Sequence, residues 1–191
     1  MKLSQILKDI KCKIYPSGAD VFVSGLTHKS DDVRVGNMFF CLKGVNSDGH
    51  NYTSQAIGNG ATVIVSEYRI CVPSCVVNVV VKNTRRVMSL CACAYFSHPS
   101  KDMKIVSITG TNGKTTTSFM IKSILETASK KVGVIGTNGI YFSGKKIEQN
   151  MTTPDPIFLQ EILKKMRDNG VEIVVMECLL TRWNSRKIGV L

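Results

Sequence analysis

The chain has 191 residues, of which 43% are hydrophobic, and it carries a formal net charge of +11. This length suits one large or two small domains with a buried core, and no apolar run is long enough to cross a membrane. Lys8 and Asp9 interrupt the region where a signal peptide would be uniformly apolar, so we expect a cytoplasmic protein. The basic residues are spread along the chain without interleaved aromatic residues, which favours phosphorylated small-molecule ligands over nucleic acid.

The seven cysteines are an odd number, and none of them forms a Cys-x-x-Cys pair. Cys91 and Cys93 fall in a helical pattern, where positions two apart point to different faces. Reduced, mostly buried thiols are therefore expected rather than disulfides or a metal site.

Residues 1–99 are predicted to form a small α/β domain. Apolar and β-branched runs predict strands, and amphipathic runs predict helices. The predicted strands are residues 21–26, 37–42, 61–65 and 75–81, and the predicted helices are residues 3–10, 51–59 and 83–96. Pro99 disfavours helix in the residue before it, so we place a domain boundary at about residues 99–103.

Residues 100–177 are predicted to form a second α/β domain in which strands alternate with helices. The expected strands are residues 103–109, 131–135 and 171–176, with a glycine-containing turn region at 138–146. A helix over 116–128 has apolar positions 120, 121, 124, 125 and 128, which suit one buried face. Asp155 and Pro156 are typical of the start of a second helix, which Gly170 would end. This alternation predicts a doubly wound parallel sheet that binds ligands at the carboxyl ends of its strands.

A glycine-rich loop directly follows the first of these strands. Residues 108–117 read Ile-Thr-Gly-Thr-Asn-Gly-Lys-Thr-Thr-Thr, which is a short variant of the P-loop because Ile108 stands where the general pattern has glycine. Glycines let successive N–H groups point at one phosphate, a lysine neutralises charge, and the next hydroxyl ligates Mg²⁺. The following helix aims its positive dipole end at the anion. We therefore predict ATP binding here, against the alternative of an ordinary glycine turn, through Gly110, Thr111, Asn112, Gly113, Lys114, Thr115 and Thr116.

Together with four other stretches, this loop resembles the Mur ligase family, the ATP-dependent enzymes that build the peptidoglycan stem peptide. The stretches are residues 30–44, Asp48-Gly49-His50, residues 151–156 (Met-Thr-Thr-Pro-Asp-Pro) and Met176-Glu177. The sequence is most similar to the MurE type, which adds the third amino acid to UDP-N-acetylmuramoyl-L-Ala-D-Glu. The resemblance implies a UDP-binding N-terminal domain, a P-loop central domain, and amide formation through an acyl-phosphate.

The resemblance also implies roles for individual residues. Ser30 and the turn Val45-Asn46-Ser47 match positions that hold the uridine diphosphate end of the substrate, and Thr152 and Thr153 match a pair near the reaction centre. Lys114 and Glu177 match catalytic positions, with Thr115 and Glu177 holding Mg²⁺. Each of these residues also has an ordinary structural reading as a turn residue, a helix cap or a solvated carboxylate.

Three other functions remain open at this stage. The P-loop alone would also fit a folylpolyglutamate or cyanophycin synthetase type of ligase, although residues 30–44 and 151–156 favour the MurE type. Binding of a UDP-muramoyl peptide rather than folate would separate them. A non-catalytic nucleotide-binding module would instead be a stable chain without turnover. A nucleic-acid binder would show salt-dependent DNA binding.

Residues 178–191 depart from the family pattern. For a suitable choice of codons, a one-base shift of the reading frame converts Cys178 and the next seven residues into Val-Ser-Ala-His-Ala-Leu-Glu-Leu, which is the family's continuation. We therefore hypothesise a frameshift, which sequencing of the encoding DNA would test. The resemblance further implies that a complete central domain and a C-terminal domain are needed. We therefore expect about three central strands with an unpaired apolar edge, instability, and no ligase turnover by this chain alone. The amino acid added and the oligomeric state are not predicted.

Overall fold

The computed structural model describes residues 1–44, 47–148 and 154–178. The chain divides into two compact units, Met1–Tyr95 and Phe96–Leu191, and each is considered by itself. The division lies a few residues before the boundary expected from Pro99. Within the described ranges, no helix combines the length and the apolar character that a bilayer crossing requires.

The first unit is a mixed five-stranded sheet with helices. Its strands are β1 (Lys13–Tyr15), β2 (Gly25–Thr27), β3 (Asn37–Phe40), β4 (Val63–Ser66) and β5 (Val77–Val80), and its helices are α1 (Leu3–Ile6), α2 (Thr53–Gly58) and α3 (Thr84–Tyr95). The spatial order is β1-β5-β4-β3-β2. Strands β2 to β5 pair in parallel, whereas β1 pairs antiparallel with β5. Strand β1 has no counterpart among the sequence predictions, because three residues are too few to show a period.

The middle of this sheet is buried on both faces. Every residue of β3 and β4 is buried, as is usual for central parallel strands. One core cluster joins Phe39 and Ile64 to Ala56 of α2, while α3 contacts both α1 and β3. The helices therefore fix the loops that follow the strands, where the candidate substrate residues lie.

The cysteines differ sharply in burial. Cys71 and Cys75 are exposed, Cys12 is half-buried, and the other four are buried. Burial raises the pKa of the Cys41 thiol to about 12 and that of the Cys93 thiol to about 11. The thiolate is the reactive form of cysteine. The buried thiols should therefore react slowly, because reagents reach them poorly and little of each is ionised.

We expect Cys71 and Cys75 to react first with a thiol reagent such as dithionitrobenzoate in the folded protein. The buried thiols should react only after urea is added, and peptide mapping by mass spectrometry identifies which cysteines are modified. Labelling of Cys41 as fast as Cys71 in the folded chain would contradict this burial pattern.

The second unit is also a mixed five-stranded sheet. Its strands are β6 (Lys104–Thr109), β7 (Val132–Gly136), β8 (Gly139–Phe142), β9 (Lys145–Ile147) and β10 (Ile173–Cys178), and its helices are α4 (Lys114–Thr127) and α5 (Pro156–Asp168). The order is β6-β10-β7-β8-β9, with β6, β10 and β7 parallel. The predicted α/β class is confirmed, and the three parallel strands are those expected from the sequence.

The two faces of this sheet are covered by different helices. Ile135 and Val174 point towards α5, where Ile162 and Met166 are buried. Val134 and Val175 point the other way, towards Ile121 and Leu125 of α4. Adjacent residues of each strand thus enter opposite cores, which is the arrangement of a doubly wound sheet.

The prediction of a turn region at residues 138–146 is wrong, since this region contains the hairpin of β8 and β9. Strand β8 pairs antiparallel with β7, and β9 pairs antiparallel with β8. Ser143 and Gly144 both have positive φ, at 50° and 74°, as a two-residue type I′ hairpin turn requires. Serine is a weak signal for that conformation, so the sequence does not mark this turn. The sheet consequently has five described strands rather than about three.

The single buried face predicted for the α4 segment is also partly wrong. Ile121 and Leu125 pack on the sheet, but Met120 and Ile124 are 60% and 67% exposed. The helix meets the sheet through a narrow stripe, and the apolar residues beside that stripe face outwards. Helix α5 follows its prediction closely, with Asp155 capping the N–H groups of Ile157 and Phe158 at 3.0 and 3.3 Å.

Candidate nucleotide and substrate sites

The glycine-rich loop connects β6 to α4 and is exposed at residues 111–113. Gly110 and Gly113 have φ of 151° and 77°, in the range that favours glycine. Gly113 is the N-cap of α4, and no side chain among the described residues caps the helix. The helix therefore begins on a residue that offers no side-chain acceptor, so an anion is free to take that role at the positive end of the dipole.

Lys114 folds back over this loop. Its Nζ donates to the carbonyl oxygens of Gly110 and Thr111 at 2.7 and 3.1 Å. The ammonium group thus lies beside the same backbone whose glycines shape the loop. A phosphate bound to the loop would meet this positive charge directly.

Glu177 is the acidic partner of the loop and is fully buried, with no exposed surface. Its Oε2 accepts a hydrogen bond from Thr115 Oγ1 at 3.1 Å and its Oε1 accepts one from Ser118 Oγ at 3.4 Å. Thr137 also donates to Oε2, from Oγ1 at 2.9 Å and from its backbone N–H at 3.3 Å. The carboxylate and the hydroxyl that follows the P-loop lysine are therefore in direct contact.

The order of the strands brings these residues together. Strand β10 lies between β6 and β7, and Glu177 is in register with Ile108, two residues before the loop. Thr137 directly follows β7, so the carboxyl ends of three parallel strands converge on one carboxylate. Oxygen ligands of this kind, next to a phosphate-binding loop, fit a hard cation such as Mg²⁺.

A cavity of about 490 Å³ in the first unit contains the other group of predicted residues. Ser30 and Ser47 line it together with residues that were not predicted as site residues, including His28, Tyr52 and Arg85. Arg85 Nη2 donates to the carbonyl oxygen of Lys43 at 3.3 Å. A larger cavity of about 590 Å³ beside Tyr15 contains none of the predicted site residues. We therefore take the smaller cavity as the candidate substrate site.

A buried histidine, His50, follows Gly49, one of the residues that line this smaller cavity. His50 Nε2 accepts from the backbone N–H of Glu67 at 3.2 Å, so Nδ1 carries the proton and donates to Asp48. Tyr68 stacks on the imidazole ring with centroids 4.5 Å apart. The backbone and ring N–H groups of His50 hold the pKa of Asp48 below its usual value. The Asp48-Gly49-His50 sequence thus has a structural role here, since both ring nitrogens of His50 are engaged.

The predicted residues are therefore only partly placed. Gly110–Thr116 and Glu177 form one site in the second unit, and Ser30 and Ser47 share one cavity in the first. Val45 and Asn46, and likewise Thr152 and Thr153, lie outside the described residues. The sequence did not predict three further polar residues near these sites: Ser118, Thr137 and Arg85. For Thr137 a signal was available, because it is a polar residue that directly follows a buried strand.

Two family models match the chain in the order of its units. The Mur ligase family catalytic-domain model matches residues 22–96, and the Mur ligase middle-domain model matches residues 108–187. The chain belongs to the Mur ligase family. The middle-domain match extends into residues 178–191, the segment expected to be aberrant, and residues beyond Cys178 lie outside the described ranges.

Curated relatives place this Mur ligase chain near one branch of the family. It is 38% identical over 178 residues to UDP-N-acetylmuramoyl-L-alanyl-D-glutamate–2,6-diaminopimelate ligase 1 of Clostridium acetobutylicum, and 39% identical over 185 residues to the corresponding ligase of Clostridium botulinum. Each match covers 93% of this chain and 37% of the relative. The chain thus spans little more than a third of the length of these relatives.

Solved structures of Mur ligases share the fold. A UDP-N-acetylmuramoyl-L-alanyl-D-glutamate–2,6-diaminopimelate ligase superposes with a TM-score of 0.73 at 22% identity, covering 88% of this chain and 34% of that one. The MurF ligase of Thermotoga maritima, solved in complex with ADP, gives a TM-score of 0.54 at 24% identity, covering 81% and 31%. At these identities the similarity shows the fold alone.

Proposed function

We propose that this chain provides the substrate-binding and ATP-binding units of a cytoplasmic MurE-type ligase. The reaction is ATP-dependent addition of an amino acid to UDP-N-acetylmuramoyl-L-Ala-D-Glu through an acyl-phosphate. The observation that carries this proposal is the hydrogen bond between Thr115 in the first turn of α4 and Glu177 on β10, which supports a shared nucleotide and metal site. The relatives, whose names specify this substrate, support the choice of ligase type.

In this proposal, ATP supplies the phosphoryl group that makes the substrate carboxylate reactive. The loop N–H groups and the Lys114 ammonium group bind the phosphates and offset the charge that develops during transfer. Thr115 and Glu177 would hold Mg²⁺, which would help to neutralise the phosphate charge. Thr152 and Thr153 remain candidates for contacts to the substrate near the reacting carboxylate.

The cavity in the first unit is the proposed site for the uridine diphosphate end of the substrate. Phe39 and Tyr52 contribute aromatic surface, whereas Ser30, Ser47 and Arg85 contribute polar groups. Arg85 carries a permanent positive charge, which suits a diphosphate. Val45 and Asn46 remain candidates for further contacts in the same turn.

Replacement of Arg85 tests this assignment. Arg85→Gln is expected to weaken binding of UDP-N-acetylmuramoyl-L-Ala-D-Glu by about tenfold or more, because a hydrogen bond to a charged group contributes about 1.5–3 kcal/mol and about 1.4 kcal/mol is tenfold. Isothermal titration calorimetry measures this affinity and, separately, the affinity for ATP, which should not change.

The neighbouring Arg86 provides a matched control, since its side chain is exposed on the same helix and does not line the cavity. Arg86→Gln should bind both ligands as the parent chain does. Failure of the parent chain to bind the UDP-linked peptide, or preferential binding of a folate, would contradict the proposed substrate.

A further inference from the structure

Thr137 lies outside the P-loop, yet it makes two hydrogen bonds to the carboxylate of that site. Its hydroxyl and its backbone N–H both donate to Oε2 of Glu177, at 2.9 and 3.3 Å. Oε2 is also the atom that accepts from the Thr115 hydroxyl. One carboxylate oxygen therefore takes donors from the residue after β7 and from the first turn of α4.

The residue before Thr137 allows the carboxylate to occupy this position. A Cβ built on Gly136 would overlap Oε1 of Glu177 and lie 2.6 Å from its carboxyl carbon. Because Gly136 has no side chain, the Glu177 carboxylate packs directly against the end of β7. A side chain at 136 would therefore require the Glu177 carboxylate or the end of β7 to shift.

We propose that Thr137 is a positioning residue of the metal–nucleotide site, acting through Glu177, and that Gly136 provides the space this requires. The hydroxyl of Thr137 fixes the rotation of the carboxylate so that Thr115 and Glu177 present their oxygens together. Groups that orient metal ligands in this way commonly change metal affinity 10- to 100-fold when they are removed. This inference rests on the proposed function, since it concerns the same ATP site.

The two bonds differ in what a substitution removes. The backbone N–H persists in any variant except proline, whereas Thr137→Val replaces only the hydroxyl with a methyl group of similar size. Thr137→Ser keeps the hydroxyl and loses the methyl group. The pair therefore separates hydrogen bonding to Glu177 from packing.

The experiment measures ATP binding by calorimetry over a series of free Mg²⁺ concentrations and in EDTA. Thr137→Val is expected to require about tenfold more Mg²⁺ for half-maximal enhancement of ATP binding, with binding in EDTA unchanged. Thr137→Ser should stay close to the parent. Gly136→Ala should show a Mg²⁺ defect at least as large as that of Thr137→Val.

Thr127→Val is the matched control, because Thr127 is exposed at the far end of α4 and donates to Ser123. Parent-like Mg²⁺ dependence in Thr137→Val would overturn the inference, as would an equal loss of binding with and without Mg²⁺. A parent chain that binds no ATP would instead refute the proposed function. Urea unfolding of each variant confirms that the comparison is made between folded proteins.

Discussion

Lys114→Met is expected to reduce the affinity for ATP about a hundredfold. The substitution keeps most of the apolar length of the side chain but removes the ammonium group that lies over Gly110 and Thr111. Truncating one partner of a close charge pair typically costs about 2–5 kcal/mol, and a hundredfold loss corresponds to about 2.8 kcal/mol. Calorimetric titration with ATP and Mg²⁺ measures the effect.

Lys122 on the same helix offers the matched control. Its Nζ pairs with Glu126 at 3.0 Å, one helical turn further along, and it lies two turns from the loop. Lys122→Met should therefore leave ATP affinity close to that of the parent chain. If Lys114→Met binds ATP as tightly as the parent does, the phosphate is not held by this loop.

Ile162→Ala is expected to lower the free energy of unfolding of the second unit by about 2–5 kcal/mol. Ile162 has no exposed surface and lies in the core that joins α5 to the sheet. Removing most of its side chain loses apolar burial and leaves a cavity that the surrounding strands can only partly fill. Urea unfolding followed by hydrogen exchange reports on the second unit separately from the first.

Ile124→Ala makes the same chemical change at a position on α4 that is 67% exposed. Little apolar burial is lost there, and alanine favours helix, so the free energy of unfolding should change by no more than about 0.5 kcal/mol. A large loss at Ile124 would mean that this face of α4 is covered in solution. A negligible loss at Ile162 would contradict the placement of α5 on the sheet.

Helix boundaries were predictable where the signal is local. Asp155 and Pro156 specify the start of α5 because one carboxylate oxygen can reach two free N–H groups and proline fits the first turn. Gly170, at φ 77°, follows the end of the same helix for an equally local reason. Local signals failed at Ser143, where the hairpin turn uses a residue that rarely marks one, and at β1, which is too short.

The packing direction of α4 could not be predicted from its apolar positions. Both Met120 and Leu125 fit a helical stripe, but only Leu125 meets the sheet. Which part of a wide apolar face becomes buried depends on where the neighbouring strands lie. That information is absent from the sequence period alone.

The proposed ATP site depends in part on the local sequence and in part on the fold. The order of residues from Gly110 to Thr115 specifies a phosphate-binding turn, because glycine conformation, lysine charge and a hydroxyl are properties of neighbouring residues. The hydrogen-bond partners of Glu177 were decided only by tertiary structure. Strand β10 enters between β6 and β7, and this insertion joins Thr115, Thr137 and Glu177 although they are far apart in the chain. Strand order depends on how the helices cover both faces of the sheet. That arrangement depends on apolar burial between segments far apart in the chain, so no single segment encodes it.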